Sequence, residues 1–356
     1  MKNNREYQEL FGRRLAQARR MRGMSLRALA AAVGGKVSYN ALHKYEKGQM
    51  MPDSTVLIAV AGALDQSTDF FFRPPAAELR SLTYRRKAVL GARDRAAVEA
   101  EAADFFERYA LVEDVLGLSP RTALPRDGFP VRTDDEVEAA AERLRALWKL
   151  GEAPLMNVLG LLEEKGIKVC EVKAPLAFDG LAGWAGSHPL IVINRDFPPD
   201  RKRFTALHEL AHLVLRFPQT GLAPRDQERL CHVFAGAILL PRKALREELG
   251  GRRAHVTTRE LVAIKERYGI SCQAVFKRAV GLDLIPRTAE PHFWALWRSW
   301  GYSTQEPGTW MAPEQSSRFE ELVYRAAGEE QITLSKGAAL LRISVADFME
   351  RLRVVE

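Results

Sequence analysis

The chain has little cysteine and no long apolar run, and each shortage narrows what it can be. Its three cysteines, Cys170, Cys231 and Cys272, are odd in number and widely spaced, with no C-x-x-C pair. Neither a disulfide framework nor a cysteine-built metal site is supported. The longest apolar runs, such as 233–240, fall far short of the roughly 20 residues needed to cross a bilayer. No signal-peptide pattern follows Met1, so the expectation is a cytoplasmic protein with no membrane partner. Internal repeats and low-complexity tracts are also missing. What is present is length: 356 residues suffice for two or three domains, each with its own core. The net charge of +8 permits a polyanionic partner without requiring one. Its distribution says more, because residues 1–73 carry 12 Lys/Arg against 6 Asp/Glu.

The most informative motif is His208-Glu209-Leu210-Ala211-His212, set in an apolar stretch with helical spacing (Phe204, Leu207, Leu210, Ala211, Val214, Leu215). On a helix, positions i and i+4 lie one above the other, so His208 and His212 can offer two imidazoles to one metal ion. Glu209, one residue on, is angled to hold water and take its proton. Two nitrogen ligands, an open coordination position and a carboxylate base are what a zinc hydrolase requires. A third ligand comes from a later helix in such sites. After a turn at 218–224, a second apolar helix carries Glu228 and His232 four apart on one face and is stopped by Pro241. Either could face the metal helix.

The run Glu228-x-x-Cys231-His232-x-Phe234-Ala235-Gly236-Ala237-Ile238-Leu239-Leu240-Pro241, taken with the H-E-x-x-H motif, resembles the ImmA/IrrE-type metallopeptidases. Their pattern is H-E-x-x-H followed by E-x-x-A-N-x-F-A-A-x-L-L-x-P. The resemblance implies a small zincin-like domain, Zn2+ as cofactor, His208, His212 and Glu228 as its ligands, and Glu209 as the catalytic base. The chain departs from the pattern at Cys231-His232, where many members have Ala-Asn. His232 then stands either as a group beside the ligands or as a rival to Glu228 for the metal.

The basic N-terminal fifth is punctuated as a small helical domain. A first helix over 7–22 ends at Gly23. Ser25 caps a second over 26–33, which Gly34-Gly35 stops. Ser38 caps a third over 39–47, and Pro52-Asp53 opens a fourth over 54–64. Ser25-Leu-Arg-Ala-Leu29-Ala30, Tyr45-Glu46-Lys-Gly48, Pro52 with Leu57, and the ending Asp69-Phe70-Phe71-Phe72 resemble the XRE, or lambda-repressor-like, family. By that resemblance the third helix reads DNA. Tyr39, Asn40 and Lys44 would then reach base edges, and Ser25 and Ser38, at helix N-termini, would contact phosphates.

The rest of the chain sets the domain order. A charged, Ala-rich stretch holding Tyr84-Arg85-Arg86-Lys87 and a helical run 94–116 reads as a connector, and 119–130 as a loop. Helices are expected over 134–150 and from Pro154 to Lys165. A half-buried strand follows over 167–172, then a hairpin whose arms, 180–186 and 190–194, turn at Ser187-His188-Pro189 with His188 exposed. Residues 257–279 repeat a helix-turn-helix rhythm, read as structural before DNA-binding. Trp294, Trp297, Trp300 and Trp310 form an aromatic cluster ahead of two or three tail helices over 316–353.

The expected fold class is α+β, mostly α, in four parts: a helix-turn-helix domain (1–75), a helical connector (76–130), a zincin-like domain with a short sheet (131–285) and a helical extension (286–356). The expected function is a DNA-binding transcriptional regulator with a zinc-dependent endopeptidase domain. Its partners would be operator double-stranded DNA and a repressor or antitoxin cleaved in stress response or in phage and mobile-element control, with a homodimer as the DNA-bound form. The rival is a non-catalytic repressor or antitoxin whose zincin fold binds or senses. An intact Glu209 favours the enzyme, because a pure binding module has no physical need of it.

Overall fold

The computed structural model describes residues 2–73, 90–118, 121–218 and 220–353; the basic stretch 84–87 lies outside them. The N-terminal unit holds α1 (Lys2–Met21), α2 (Leu26–Ala32), α3 (Tyr39–Glu46), α4 (Ser54–Leu64) and a 3-10 turn (Thr68–Phe72). α1 begins five residues earlier than its apolar pattern suggests. The side chains of Ser25, Ser38 and Asp53 each accept an N–H of the first turn they precede, supplying donors that a helix start leaves without partners. Gly34 and Gly35 turn the chain with φ of 66° and 74°, in the left-handed region where other residues are strained. They carry Val37 back into a core of Phe11, Leu15, Leu29, Leu42 and Phe71. Arg19 closes a two-bond pair on Glu46 (2.6 and 3.0 Å) and ties α1 to the end of α3.

The connector is a spine rather than a spacer. α5 (Ala92–Val115) packs on α1 on one side. Its Val98 and Ala102 sit against Cys170, Val172, Leu190 and Val192 of the central sheet. That sheet consists of β2 (Lys168–Val172), β3 (Gly180–Ala185) and β4 (His188–Asn194) in the order β2-β4-β3. β2 runs parallel to β4 and β3 antiparallel. Alternate residues Val169, Ile191 and Ile193 face the main core instead. Because α5 covers the second face, β2 is buried nearly throughout, where the sequence pattern suggested a half-exposed strand. The hairpin turns at Gly186-Ser187 (φ of Gly186, 59°), not at 187–189. His188 is therefore the first residue of β4. It is half-buried, with Nδ1 3.0 Å from the Ala185 carbonyl and its ring edge-on to Phe106.

Around the sheet lie α6 (Asp134–Leu147), α7 (Val158–Glu164), α8 (Pro199–Val214), α9 (Pro224–Leu239), α10 (Arg242–Leu249), α11 (Thr258–Tyr268) and α12 (Cys272–Gly281). A short parallel pair, β1 (Phe129–Pro130) with β5 (Leu215–Arg216), lies apart from the sheet. Leu261, Ile264, Val275, Phe276 and Ala279 place α11 and α12 in the same core as α8 and α9, so that helix-turn-helix rhythm serves packing. α13 (Glu290–Ser299) lays Phe293 flat on Phe276 at 3.6 Å and buries Trp297; Trp300 stays exposed.

A strap then runs from α13 to α14 (Arg318–Gly328), followed by α15 (Leu334–Leu341) and α16 (Val345–Arg351). Three carboxylates fasten it at helix N-termini, where backbone donors and the helix dipole favour negative charge. Glu306 accepts from Cys272 and Gln273 at the start of α12. Glu314 accepts from Leu159 in the first turn of α7. Glu163 accepts from Ser317 and Arg318 at the start of α14.

Candidate metal centre and nucleic-acid interface

α8 and α9 are neighbours in the core, and their facing sides carry the polar residues of the motif. Nε2 of His208 and Nε2 of His212 are 3.3 Å apart. Oε2 of Glu228, from α9, lies 3.2 Å from the first and 3.6 Å from the second. A tetrahedral zinc with ligands at about 2.0–2.1 Å needs donor separations of roughly 3.3–3.5 Å. Two imidazole nitrogens and a carboxylate oxygen at these separations fit the ion in number, chemistry and size. Among the described residues, His208, His212 and Glu228 form one such cluster of ligand atoms, all within 4.8 Å of one another.

His232 takes no place in that cluster. Its Nδ1 lies 2.7 Å from the carbonyl oxygen of Glu228, and its exposed ring stands 4.3 Å from that of His208, centroid to centroid. Cys231, buried next to it on α9, sets its Sγ 3.6 Å from Nδ1 of His212. When Nε2 faces a metal, the outer nitrogen carries the proton, and a partner there fixes the ring's orientation. Sequence reasoning noted Cys231 as a departure from the family pattern but missed this contact. Its signal was the spacing of three from Glu228, which turns the thiol toward α8.

Glu209 is buried and packs beneath β3. A Cβ placed on Gly180 would lie 3.1 Å from Cγ of Glu209, 3.0 Å from Cγ2 of Thr205 and 2.9 Å from the Val192 carbonyl oxygen. Glycine at 180 is thus what lets the strand approach the metal helix. β3 is an edge strand of its sheet. Asn194 N–H bonds the Asp179 carbonyl at 3.1 Å, which makes that couple a hydrogen-bonded pair. Alternation from it turns the backbone groups of Leu181 and Gly183 inward to β4 and those of Gly180, Ala182 and Trp184 outward. Pro189, opposite Trp184, falls at a position where no N–H is called for.

In the N-terminal unit, Ser25, Ser38, Tyr39, Asn40 and Lys44 are all exposed, and α3 carries the last three on its outer side. The Ser25 and Ser38 hydroxyls accept from Ala28 and Ala41, so their first task is capping. Two residues not singled out from the sequence join the surface: Arg27 reaches over the Tyr39 ring at 5.9 Å, and His43 stacks beside it. The signal for Arg27 was its place in the first turn of α2, which faces the start of the next helix.

A helix-turn-helix unit joined to a domain that carries a His-His-Glu donor set fits the metallopeptidase class, and comparison with known proteins agrees. Residues 15–71 match the helix-turn-helix family of XRE type, and residues 162–280 match a peptidase family described as the IrrE N-terminal-like domain. A stretch of 120 residues is 29% identical to the radiation response metalloprotease IrrE of Deinococcus deserti, covering 31% of this chain and 40% of that protein. No helix among the described residues is long and apolar enough to cross a membrane.

Proposed function

We propose that the chain is a DNA-binding regulator whose second domain is a zinc-dependent endopeptidase acting on a partner protein. The observation that carries the reading is the cluster of His208, His212 and Glu228 with Glu209 one residue away, beside an open strand edge. His208, His212 and Glu228 would hold the zinc, which would supply Lewis acidity for lowering the pKa of water and polarising a carbonyl. Gly180, Ala182 and Trp184 offer backbone donors and acceptors on which an extended peptide adds as a further strand. Glu209 takes the proton of the attacking water on a carboxylate oxygen and passes it to the leaving amine nitrogen. His232, with Nδ1 directed at the Glu228 carbonyl, stands at the rim of the donor cluster.

The relative's printed name describes a radiation response metalloprotease. It supports, by analogy, a stress-linked role; a repressor or antitoxin as substrate is what the resemblance to the ImmA/IrrE-type metallopeptidases implies. The helix-turn-helix domain supports operator DNA as the second partner.

Glu209→Gln tests the enzymatic reading. The variant is expected to keep one zinc per chain and to lose cleavage of the partner by about 10²–10⁴-fold, whereas His208→Ala loses the metal. Wild-type turnover in Glu209→Gln would remove the base assignment. A wild-type chain that binds its partner tightly and never cuts it would turn the domain into a binding module.

A further inference from the structure

We propose that the cleft running from the donor cluster along α9 binds an acidic segment of the substrate polypeptide; this rests on the peptidase reading and adds a substrate class to it. The cleft, about 1100 Å³, opens beside Glu228, His232 and Phe204 and continues between α6, α9 and α12 to the start of α13. Arg225, Arg229, His232 and Gly236 line it at helical spacing, so one whole face of α9 forms its wall.

The charge on that surface does not cancel. Arg229 pairs with Asp134 at 2.6 and 2.8 Å, and Arg278 with Glu138 at 2.7 and 3.1 Å. Each of these cations has its own carboxylate, and Glu138 also lies 3.9 Å from Arg242. Glu306 answers the positive end of α12, so the remaining excess belongs to side chains. Arg132, Arg225 and Arg287 are exposed and form no ion pair among the described residues. Lys277 is exposed as well, its ammonium resting over the Trp294 ring at 5.5 Å. Against these four cations stand Glu290, Asp135 and, at the metal end, Glu228, with Glu136 beside Arg132; Asp135 already leans on Arg242 at 3.9 Å. Between the cations lie Phe204, Val233, Ala274, Val280 and Leu282.

Unpaired cations around an apolar floor complement a peptide that alternates carboxylates with apolar side chains. Such a surface disfavours a basic peptide by like-charge repulsion. Glu228 ends the cleft at the metal, so a segment lying in it reaches the reacting centre directly.

The test uses the full chain, zinc-loaded and carrying Glu209→Gln, with two fluorescein-labelled peptides of equal length and equal leucine content. One peptide has Glu at alternate positions and the other Lys, and binding is read by fluorescence anisotropy. The Glu peptide is expected to bind at least about tenfold more tightly. The basic N-terminal unit could produce that difference alone, so the decisive variant is Arg225→Glu with Lys277→Glu. This variant is expected to reduce the preference about tenfold or invert it, with zinc content and thermal midpoint unchanged. A preference that survives the double reversal overturns the proposal, and so does equal binding of the two peptides. Displacement of the Glu peptide by an oligonucleotide, in a chain also carrying Asn40→Ala and Lys44→Ala, overturns it in favour of nucleic acid. A wild-type chain that cleaves no protein yet shows the reversal-sensitive preference upholds the cleft and fails the peptidase reading.

Discussion

At Glu163 two demands on one carboxylate pull against each other. Burial pushes its pKa up to about 7, while the N–H groups of Ser317 and Arg318 pull it back. In the unfolded chain the group titrates near the ordinary carboxylate value. Between roughly pH 4.5 and 7 the folded state therefore holds a proton that the unfolded state has lost, and stability falls as pH rises through that window. Glu314 behaves alike: burial raises it to about 7, although the buried Arg203, 3.7 Å away, acts in the opposite direction. The expected outcome is a thermal midpoint that declines from pH 5 to pH 7.5, with the slope reduced in Glu163→Gln and reduced further when Glu314→Gln is added. An unchanged slope in the double variant would assign the pH response to other groups.

On the scale of elements, the approach of β3 to α8 and the exposure of α3 carry separate expectations. Gly180→Ala forces a methyl against the Val192 carbonyl and the side chains of Thr205 and Glu209. Overpacking of this kind costs about 1–3 kcal/mol, and here the strain falls on the base. Cleavage should drop more than stability does, with zinc retained; full activity would mean that the strand yields without moving Glu209. On α3, Asn40→Ala and Lys44→Ala are each expected to weaken operator binding by about 1–3 kcal/mol if they contact bases. Affinity should decline steeply with salt as counterions are released. Equal affinity for operator and random duplex would leave α3 without a reading role.

Much of this was legible in the chain, because local rules govern it. Ser25, Ser38 and Asp53 announce their helices, and H-E-x-x-H fixes two donors by helical geometry alone. Glu228 required a second helix, and only its packing on α8 separates it from His232. The hairpin turn was misplaced because Pro189 and Ser187 look like turn residues, whereas Gly186 is the residue with positive φ. β2 looked half-buried because its second cover, α5, is distant in sequence. Nothing periodic marks the strap, whose bonds to Glu163 and from Glu314 cross 154 or 155 residues, while Glu306 reaches back 33 and 34.

For the molecule as a whole, the link between its parts is ionic and buried. Asp104, on α5 and fully buried, receives Arg108 at 2.6 Å from its own helix. It also receives Arg342 at 2.6 Å from the end of α15, and Arg73 at 3.3 Å from the end of the N-terminal unit. Burial alone raises Asp104, but Arg108, Arg342 and Arg73 outweigh it and hold the group below the usual carboxylate range. One carboxylate thus joins three segments. Arg14 on Glu107 and Lys336 on Asp69 run alongside it. Asp104→Ala strands guanidinium groups beside an apolar core and is expected to cost about 3–5 kcal/mol. Limited proteolysis should then release the N-terminal unit and the tail together. Cleavage confined to the tail would show that the N-terminal unit is held by α1 and α5 alone.

The same hub imposes an order in time. A growing polypeptide displays Asp104, with Arg73 and Arg108, while Arg342, 238 positions further on, has yet to be made. At ordinary elongation rates that interval lasts on the order of 10–50 s. Throughout it the N-terminal unit has no finished seat. Newly made chains therefore pass through a stage in which the N-terminal unit is fully synthesised while the tail that locks the assembly is still on the ribosome.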